Sequence, residues 1–135
     1  MYKSILVPIA LDHAHDSQAS LDIAKRLLAK GGDVTILTVV EQIPSYVSQY
    51  LPDGQMQKNL TDAAAKLKDV ALSVPGAKTN AISGHAGTSI TEYAAENGND
   101  LIIIASHRPG LQDYFLGSTA ARVVRHAPCS VHVLR

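Results

Sequence analysis

Cysteine is almost missing: Cys129 is the one thiol in 135 residues. A lone thiol closes no intrachain disulfide and builds no cysteine-based zinc site, which suits a reducing compartment and makes the cytoplasm the expected location. An excess of either charge is missing too, since twelve Lys and Arg balance twelve Asp and Glu. A chain that grips nucleic acid over its surface carries a basic surplus, so nucleic acid is not an expected partner. Long apolar runs are also absent. The longest candidate, 101–105, is strand-sized, far short of the ~20 residues of a membrane-spanning helix. At the start, Met1-Tyr2-Lys3 leads straight into Ser4-Ile5-Leu6-Val7-Pro8, too short for a signal-peptide core and without a small-residue cleavage site, so neither export nor membrane insertion is expected.

What is present can close a core. Hydrophobic residues make up 46% of the chain against 18% charged, which at this length predicts one globular domain over 1–135. Short β-branched and apolar runs, at 4–9, 34–40, 78–83, 101–105 and 130–134, alternate with longer amphipathic segments. Ile5-Leu6-Val7, 34–40 and Leu101-Ile102-Ile103-Ile104 are nearly continuous rather than alternating, as in parallel strands buried on both faces, and are expected at the sheet centre. Leu21, Ala24, Leu27 and Leu28 follow Asp16-Ser17 at helical spacing and precede Gly31-Gly32, predicting a helix over about 17–30. A second helix is expected over 55–73, ended by Val74-Pro75-Gly76. A third runs to Asn97-Gly98, its start open between Ala86 and a capping box at Ser89-x-x-Glu92. A fourth spans 118–125 before Pro128. The order βαβαβαβαβ predicts an α/β fold, a single-domain open parallel five-stranded sheet with four helices on both faces, doubly wound by right-handed crossovers. Segment 41–54, with Pro44, Pro52 and Gly54, shows no periodicity and reads as a mobile excursion above the sheet.

Ligands of open α/β sheets bind outside the carboxyl ends of the strands where the strand order reverses. The strand ends here are Pro8-Ile9-Ala10, Thr38-Val39-Val40, Gly84-His85 and Ala105-Ser106-His107-Arg108. The last leads to Leu116-Gly117-Ser118-Thr119 at the start of the fourth helix. Glycine followed by hydroxyl residues at a helix N-terminus offers free N–H groups and hydroxyls to phosphate oxygens; the same pattern also serves as a plain helix cap. Arg108, Arg122, Arg125 and Arg135 outnumber Asp113 in the last 35 residues, and Arg108 is the best placed to fork onto a phosphate.

Residues 119–131, Thr119 through His126-Ala127-Pro128-Cys129-Ser130-Val131, together with Ile5-Leu6-Val7-Pro8 and Ile103-Ile104-Ala105-Ser106-His107, give the chain a specific resemblance. It looks like a universal stress protein over essentially its whole length. Ala105-Ser106-His107-Arg108-Pro109 with Leu116-Gly117-Ser118 resembles the small subgroup carrying Ser-His-Arg-Pro. The resemblance implies a Rossmann-like sheet of order 3-2-1-4-5, like that of the adenine nucleotide α-hydrolases, and ATP held through a Gly-x-x-Gly-x9-Gly-Ser/Thr pattern. Here that pattern is altered: its first two glycines fall on Ala105 and Arg108, one residue is missing before Gly117-Ser118, and the aspartate common after the strand-one proline is Ala10, with Asp12 two positions on. A lost glycine matters where a Cβ would strike the phosphate; Ala105 is a mild change, and Arg108 replaces a bare backbone approach with a cation. By the resemblance, Val39 presents backbone groups to adenine, Pro8, Ile9 and Ala10 line base and ribose, and Ala105, Ser106, His107 and Arg108 with Gly117, Ser118 and Thr119 hold the phosphates.

Other residues carry less. His13, His15 and Asp16 lack a defined ligand spacing and read as a solvated loop, with no metal expected. His107 beside Ser106 has no acidic orienter and reads as a phosphate-site hydrogen bonder. Cys129 after Pro128 reads as a small buried hydrophobe. The last strand, 130–134, leaves an edge that calls for a partner; the resemblance implies a homodimer through it, with a tetramer open, while a monomer with a short tolerated edge protected by His132 and Arg135 is the alternative. The leading expectation is an ATP-binding stress-response regulator that acts through its dimer and, lacking a general base or paired carboxylates, is no efficient enzyme beyond weak ATP hydrolysis. The alternatives are a nucleotide-free dimeric interaction module that binds a partner protein and, third, an adenylyl-transferase-like enzyme.

Overall fold

A computed structural model describes residues 1–11, 17–106 and 116–135. Five parallel strands, β1 (Tyr2–Pro8), β2 (Leu28–Glu41), β3 (Lys78–Gly84), β4 (Leu101–Ala105) and β5 (Ser130–Leu134), lie in the order β3-β2-β1-β4-β5. The connecting helices are α1 (Ser17–Leu27), α2 (Ser45–Ser48), α3 (Gln55–Val70, extended by a 3-10 turn Ala71–Ser73), α4 (Ala86–Asn97) and α5 (Ser118–His126). The three continuous apolar runs do occupy the centre of the sheet as β2, β1 and β4.

Strand side chains alternate between faces, so a run buried on both faces feeds two cores at once. Ile5, Val7, Ile36 and Ile103 join Leu21 and Ala24 of α1 and Leu67 of α3 on one face. Leu6, Leu37, Ile102 and Ile104 join Ile90 and Ala94 of α4 and Ala120 and Val123 of α5 on the other. The four sustained helices thus pair off two to a face.

One expectation is corrected and two are refined. The first helix stops at Leu27, short of residue 30, because β2 begins at once: Leu28 pairs with Tyr2, and the register then jumps to Ser4 against Asp33. Gly31 (φ 81) and Gly32 take up the extra length inside β2 rather than ending the helix, and a Cβ on Gly32 would lie 2.8 Å from the Lys3 carbonyl oxygen. Of the two starts left open for the third helix, the structure takes Ala86, so Ser89 is interior and makes no capping box. Segment 41–54 carries one helical turn, Ser45–Ser48, with none of its residues buried, closed by Val47 and Ser48 N–H groups donating to the Pro44 carbonyl at 2.9 Å each.

The base of the β1–β4 pair is fixed by one residue. The Asp100 carboxylate accepts the N–H of Lys3 at 2.9 Å and of Ser4 at 3.0 Å, and the Asp100 N–H donates to the Ser4 carbonyl at 2.9 Å. Burial works against the charge on Asp100, but the backbone donors of Lys3 and Ser4 outweigh it and hold the carboxyl below its ordinary value. Asn99 adds a bond from its amide nitrogen to Ser4 Oγ at 2.9 Å. The two strands are therefore tied at their amino ends.

Candidate functional site

At their carboxyl ends the same strands part. β1 pairs with β4 only at Ile5↔Leu101 and Leu6↔Ile102, whereas the β1–β2 ladder continues to Pro8↔Leu37 and the β4–β5 ladder to Ala105↔Leu134. Proline explains the break. The Ile9 N–H donates to the Leu37 carbonyl at 2.8 Å, so odd-numbered residues of β1 face β2 and even-numbered ones face β4. The next donor toward β4 would be Pro8, which has no N–H. A crevice opens there, at the point where the strand order reverses, the position at which such sheets take ligands.

The same alternation places backbone polar groups along the crevice. Leu37 faces β1, so Val39, two residues on, also turns its N–H and C=O toward Ile9 and Ala10 rather than toward β3. The Ser106 N–H donates to the Leu134 carbonyl at 2.7 Å, so Ala105 directs its peptide groups the other way, toward β1. Ile9 is buried, Val39 half-buried, and Ala10 and Ala105 exposed. Ala10 thus stands at the mouth without a carboxylate.

The far wall is the start of α5. Gly117 is its N-cap, and no side chain caps the helix, leaving first-turn N–H groups without an intrahelical partner. The Gly117 N–H itself donates to Ser106 Oγ at 2.8 Å, which ties the end of β4 to the beginning of α5. Ser118 is exposed and Thr119 half-buried beside it. Of the expected site, the structure brings together Pro8, Ile9, Ala10 and Val39 at one side and Ala105, Ser106, Gly117, Ser118 and Thr119 at the other; His107 and Arg108 lie outside the described residues.

Arg122, counted in the sequence among the local cations, is committed elsewhere. Its Nε donates to Thr88 Oγ1 at 3.0 Å, and its stem lies so close over Gly87 that a Cβ there would sit 2.7 Å from Arg122 Cδ. It braces α4 against α5. Sequence reading missed this pairing, and the available signal was the small residue Gly87 in the first turn of a helix. Cys129 is half-buried, packs against the second core, and has its thiol pushed up by burial first and by the Asp100 charge second. Among the described residues no group of three or more His, Cys, Asp or Glu could hold a metal; His13, His15 and Asp16 lie outside them. No helix among the described residues is long and apolar enough to cross a membrane.

The sequence model of the universal stress protein family matches residues 1–135. This chain belongs to the universal stress protein family. It is 33% identical over 141 residues to universal stress protein A homolog 2 of Coxiella burnetii, covering 99% of this chain and 95% of that one. The solved universal stress protein UspA from Lactobacillus plantarum superposes with a TM-score of 0.69 at 29% identity, covering 99% of this chain and 98% of that chain. A universal stress protein solved in complex with cAMP shares the fold, with a TM-score of 0.62 at 18% identity over 99% of this chain and 97% of that one. For a universal stress protein, the crevice opened by Pro8 and walled by Gly117 is the part of the molecule where sheet topology and available hydrogen-bonding groups coincide.

Proposed function

We propose that this universal stress protein binds an adenine nucleotide, ATP foremost, in the crevice between β1 and β4, and relays its occupancy through a homodimer paired along β5. The observation that carries the reading is the early end of the β1–β4 ladder at Leu6 and Ile102, with the uncapped start of α5 on the opposite wall. In this reading adenine meets the Val39 peptide groups, and Pro8, Ile9 and Ala10 line base and ribose. The phosphates meet Ala105, Ser106, the first-turn N–H groups and hydroxyls of Ser118 and Thr119, and the side chains of His107 and Arg108. Helix N-terminal N–H groups with a cation are a sufficient anion site. The relative solved with cAMP supports the class of ligand, because its fold carries an adenine nucleotide.

Turnover is slow in this proposal. Ala10 supplies no carboxylate, and no general base stands among the described crevice residues, so a bound nucleotide acts by holding a shape rather than by being consumed. A single cysteine, Cys129, suits the reducing cytoplasm that this reading gives as the location.

Mass spectrometry of the purified protein, native and then denatured, tests the reading together with thermal shifts in ATP, ADP, AMP and cAMP. An adenine nucleotide retained on a dimer, or a saturable stabilisation by ATP, is the expected result. An empty protein that shows no shift in millimolar ATP overturns it and favours a dimeric interaction module without nucleotide. That second reading has its own observation: Tyr46 and Tyr50, 71% and 82% exposed on and beside α2, stand ready for a protein partner.

A further inference from the structure

Strand β5 is an edge of the sheet, and its side chains divide between the two faces. Val131 and Val133 pack into the core beneath α4 and α5, and Leu134 packs into the core beneath α1. His132, which lies beside Ile103 of β4, is therefore on the α1 side. It is half-buried and has no hydrogen-bond or ion-pair partner among the described residues. Because the Ser106 N–H donates to the Leu134 carbonyl, Ser130, His132 and Leu134 turn their peptide groups inward, and Val131 and Val133 leave theirs for a partner strand. A second copy paired antiparallel must set one outward residue opposite another. The register that pairs all of 130–134 sets Val131 against the partner's Val133, and its two-fold axis then falls on His132. Moving the axis to Val133 would set Arg135 against the partner's Val131, and moving it to Val131 would run Leu134 past the end of the partner strand.

We infer that His132 faces the partner's His132 across this axis and makes the dimer a proton switch, closed when the imidazoles are neutral and opened when both are charged. The inference rests on the dimer reading above. Opposed residues of this kind form a non-hydrogen-bonded pair, with Cα atoms about 4.5 Å apart and side chains on one face. Neutral imidazoles can share an N–H to N hydrogen bond there, whereas two imidazolium rings repel. Little stands nearby to offset that repulsion. β4 contributes only Leu, Ile and Ala, and α5, with Arg122, Arg125 and His126, lies on the opposite face. On the α1 side Ser20, Leu21 and Ala24 are the buried residues; Asp22 pairs with Lys25 at 3.6 Å, and Arg26 is exposed. Asp100, at the foot of the strand, accepts the N–H groups of Lys3 and Ser4, and Arg135, next along the chain, is itself a cation. Histidine ordinarily changes charge near pH 6.5. Dimer affinity is then complete above that range and is lost as pH falls through it.

Sedimentation of the full chain over a concentration series, at about pH 7.5 and about pH 5.5, tests the inference. The dimer dissociation constant is expected to rise about tenfold at the lower pH, with the circular dichroism unchanged. His132→Gln is expected to abolish the difference, and His126→Gln to keep it. A second measurement reads the register without any proton. In a Cys129→Ser chain treated with oxidised glutathione, His132→Cys is expected to form an intersubunit disulfide, because opposed residues of a non-hydrogen-bonded pair lie within disulfide reach. Val133→Cys, which meets Val131 instead of its own copy, is expected to form none. Equal dimer affinity at both pH values, a pH dependence that survives His132→Gln, or a disulfide through Val133→Cys in preference to His132→Cys overturns the switch and leaves the dimer standing. A chain that stays monomeric at pH 7.5 overturns both.

Discussion

The hydroxyl oxygen of Ser106 accepts the N–H of Gly117 at 2.8 Å across eleven residues of chain, tying the end of β4 to the start of α5. One atom therefore sets where the uncapped helix start sits relative to the crevice. Ser106→Ala is expected to cost about 1 kcal/mol, the value of one such bond, seen as a fall of about 4 °C in Tm. Ser106→Thr keeps the oxygen and is expected to keep most of the stability. Equal Tm values for Ala and Ser at this position would mean that the bond holds nothing in place.

Pro8 is expected to act as the wedge that keeps β1 and β4 apart. Pro8→Ala restores an N–H on the β4 side, so the ladder can lengthen by one step and narrow the crevice. The variant should lose about 1 kcal/mol of stability through a less restricted unfolded chain, show a slowly exchanging amide at residue 8, and bind ATP about tenfold more weakly. A rapidly exchanging amide with unaltered ATP affinity would remove Pro8 from the account of the site.

The sheet was legible from the sequence because burial on both faces leaves an unambiguous signature: Ile5-Leu6-Val7 and Leu101-Ile102-Ile103-Ile104 alternate between two cores rather than between core and solvent. Strands β4 and β5 match their expected bounds residue for residue. The end of α1 was not legible, because what stops it is the pairing of Leu28 with Tyr2, a contact between distant residues that local helix signals at Gly31-Gly32 do not encode. The same holds for the site. Gly117, Ser118 and Thr119 could be placed at a helix start from local pattern alone, and the presence of Pro8 in a central strand was visible, but its effect required knowing which neighbour its missing N–H faces.

Asp100 should make stability depend on acid pH in a defined direction. Its folded carboxyl lies below the ordinary value of 3.8, so the unfolded chain takes up the proton first as pH falls. The stabilisation by the Lys3 and Ser4 N–H groups is complete above that ordinary value and is lost as pH drops through the lower, folded one. Asp100→Asn is expected to lose about 1 kcal/mol near neutrality, a modest figure because water still screens this half-buried group. The Tm gap between variant and parent should close below about pH 4. A gap constant from pH 7 to pH 3 would show that the charge contributes nothing.

The proposed dimer makes a prediction about two neighbouring residues of one strand. The Ser106 N–H donates to the Leu134 carbonyl, so Leu134, His132 and Ser130 turn their peptide groups toward β4, while Val131 and Val133 turn theirs outward. β5 is the edge of the sheet, and an antiparallel partner strand would bond to those outward groups. Val133→Pro deletes an outward N–H and leaves every bond to β4 intact, an arrangement that edge strands tolerate. His132→Pro deletes an inward one. The first variant should keep its fold by circular dichroism yet sediment as a monomer, and the second should lose stability through the damaged β4–β5 ladder. Should Val133→Pro remain a dimer at the same concentration, the subunits do not associate through the backbone of β5, and the exposed tyrosines of the α2 region become the next surface to mutate.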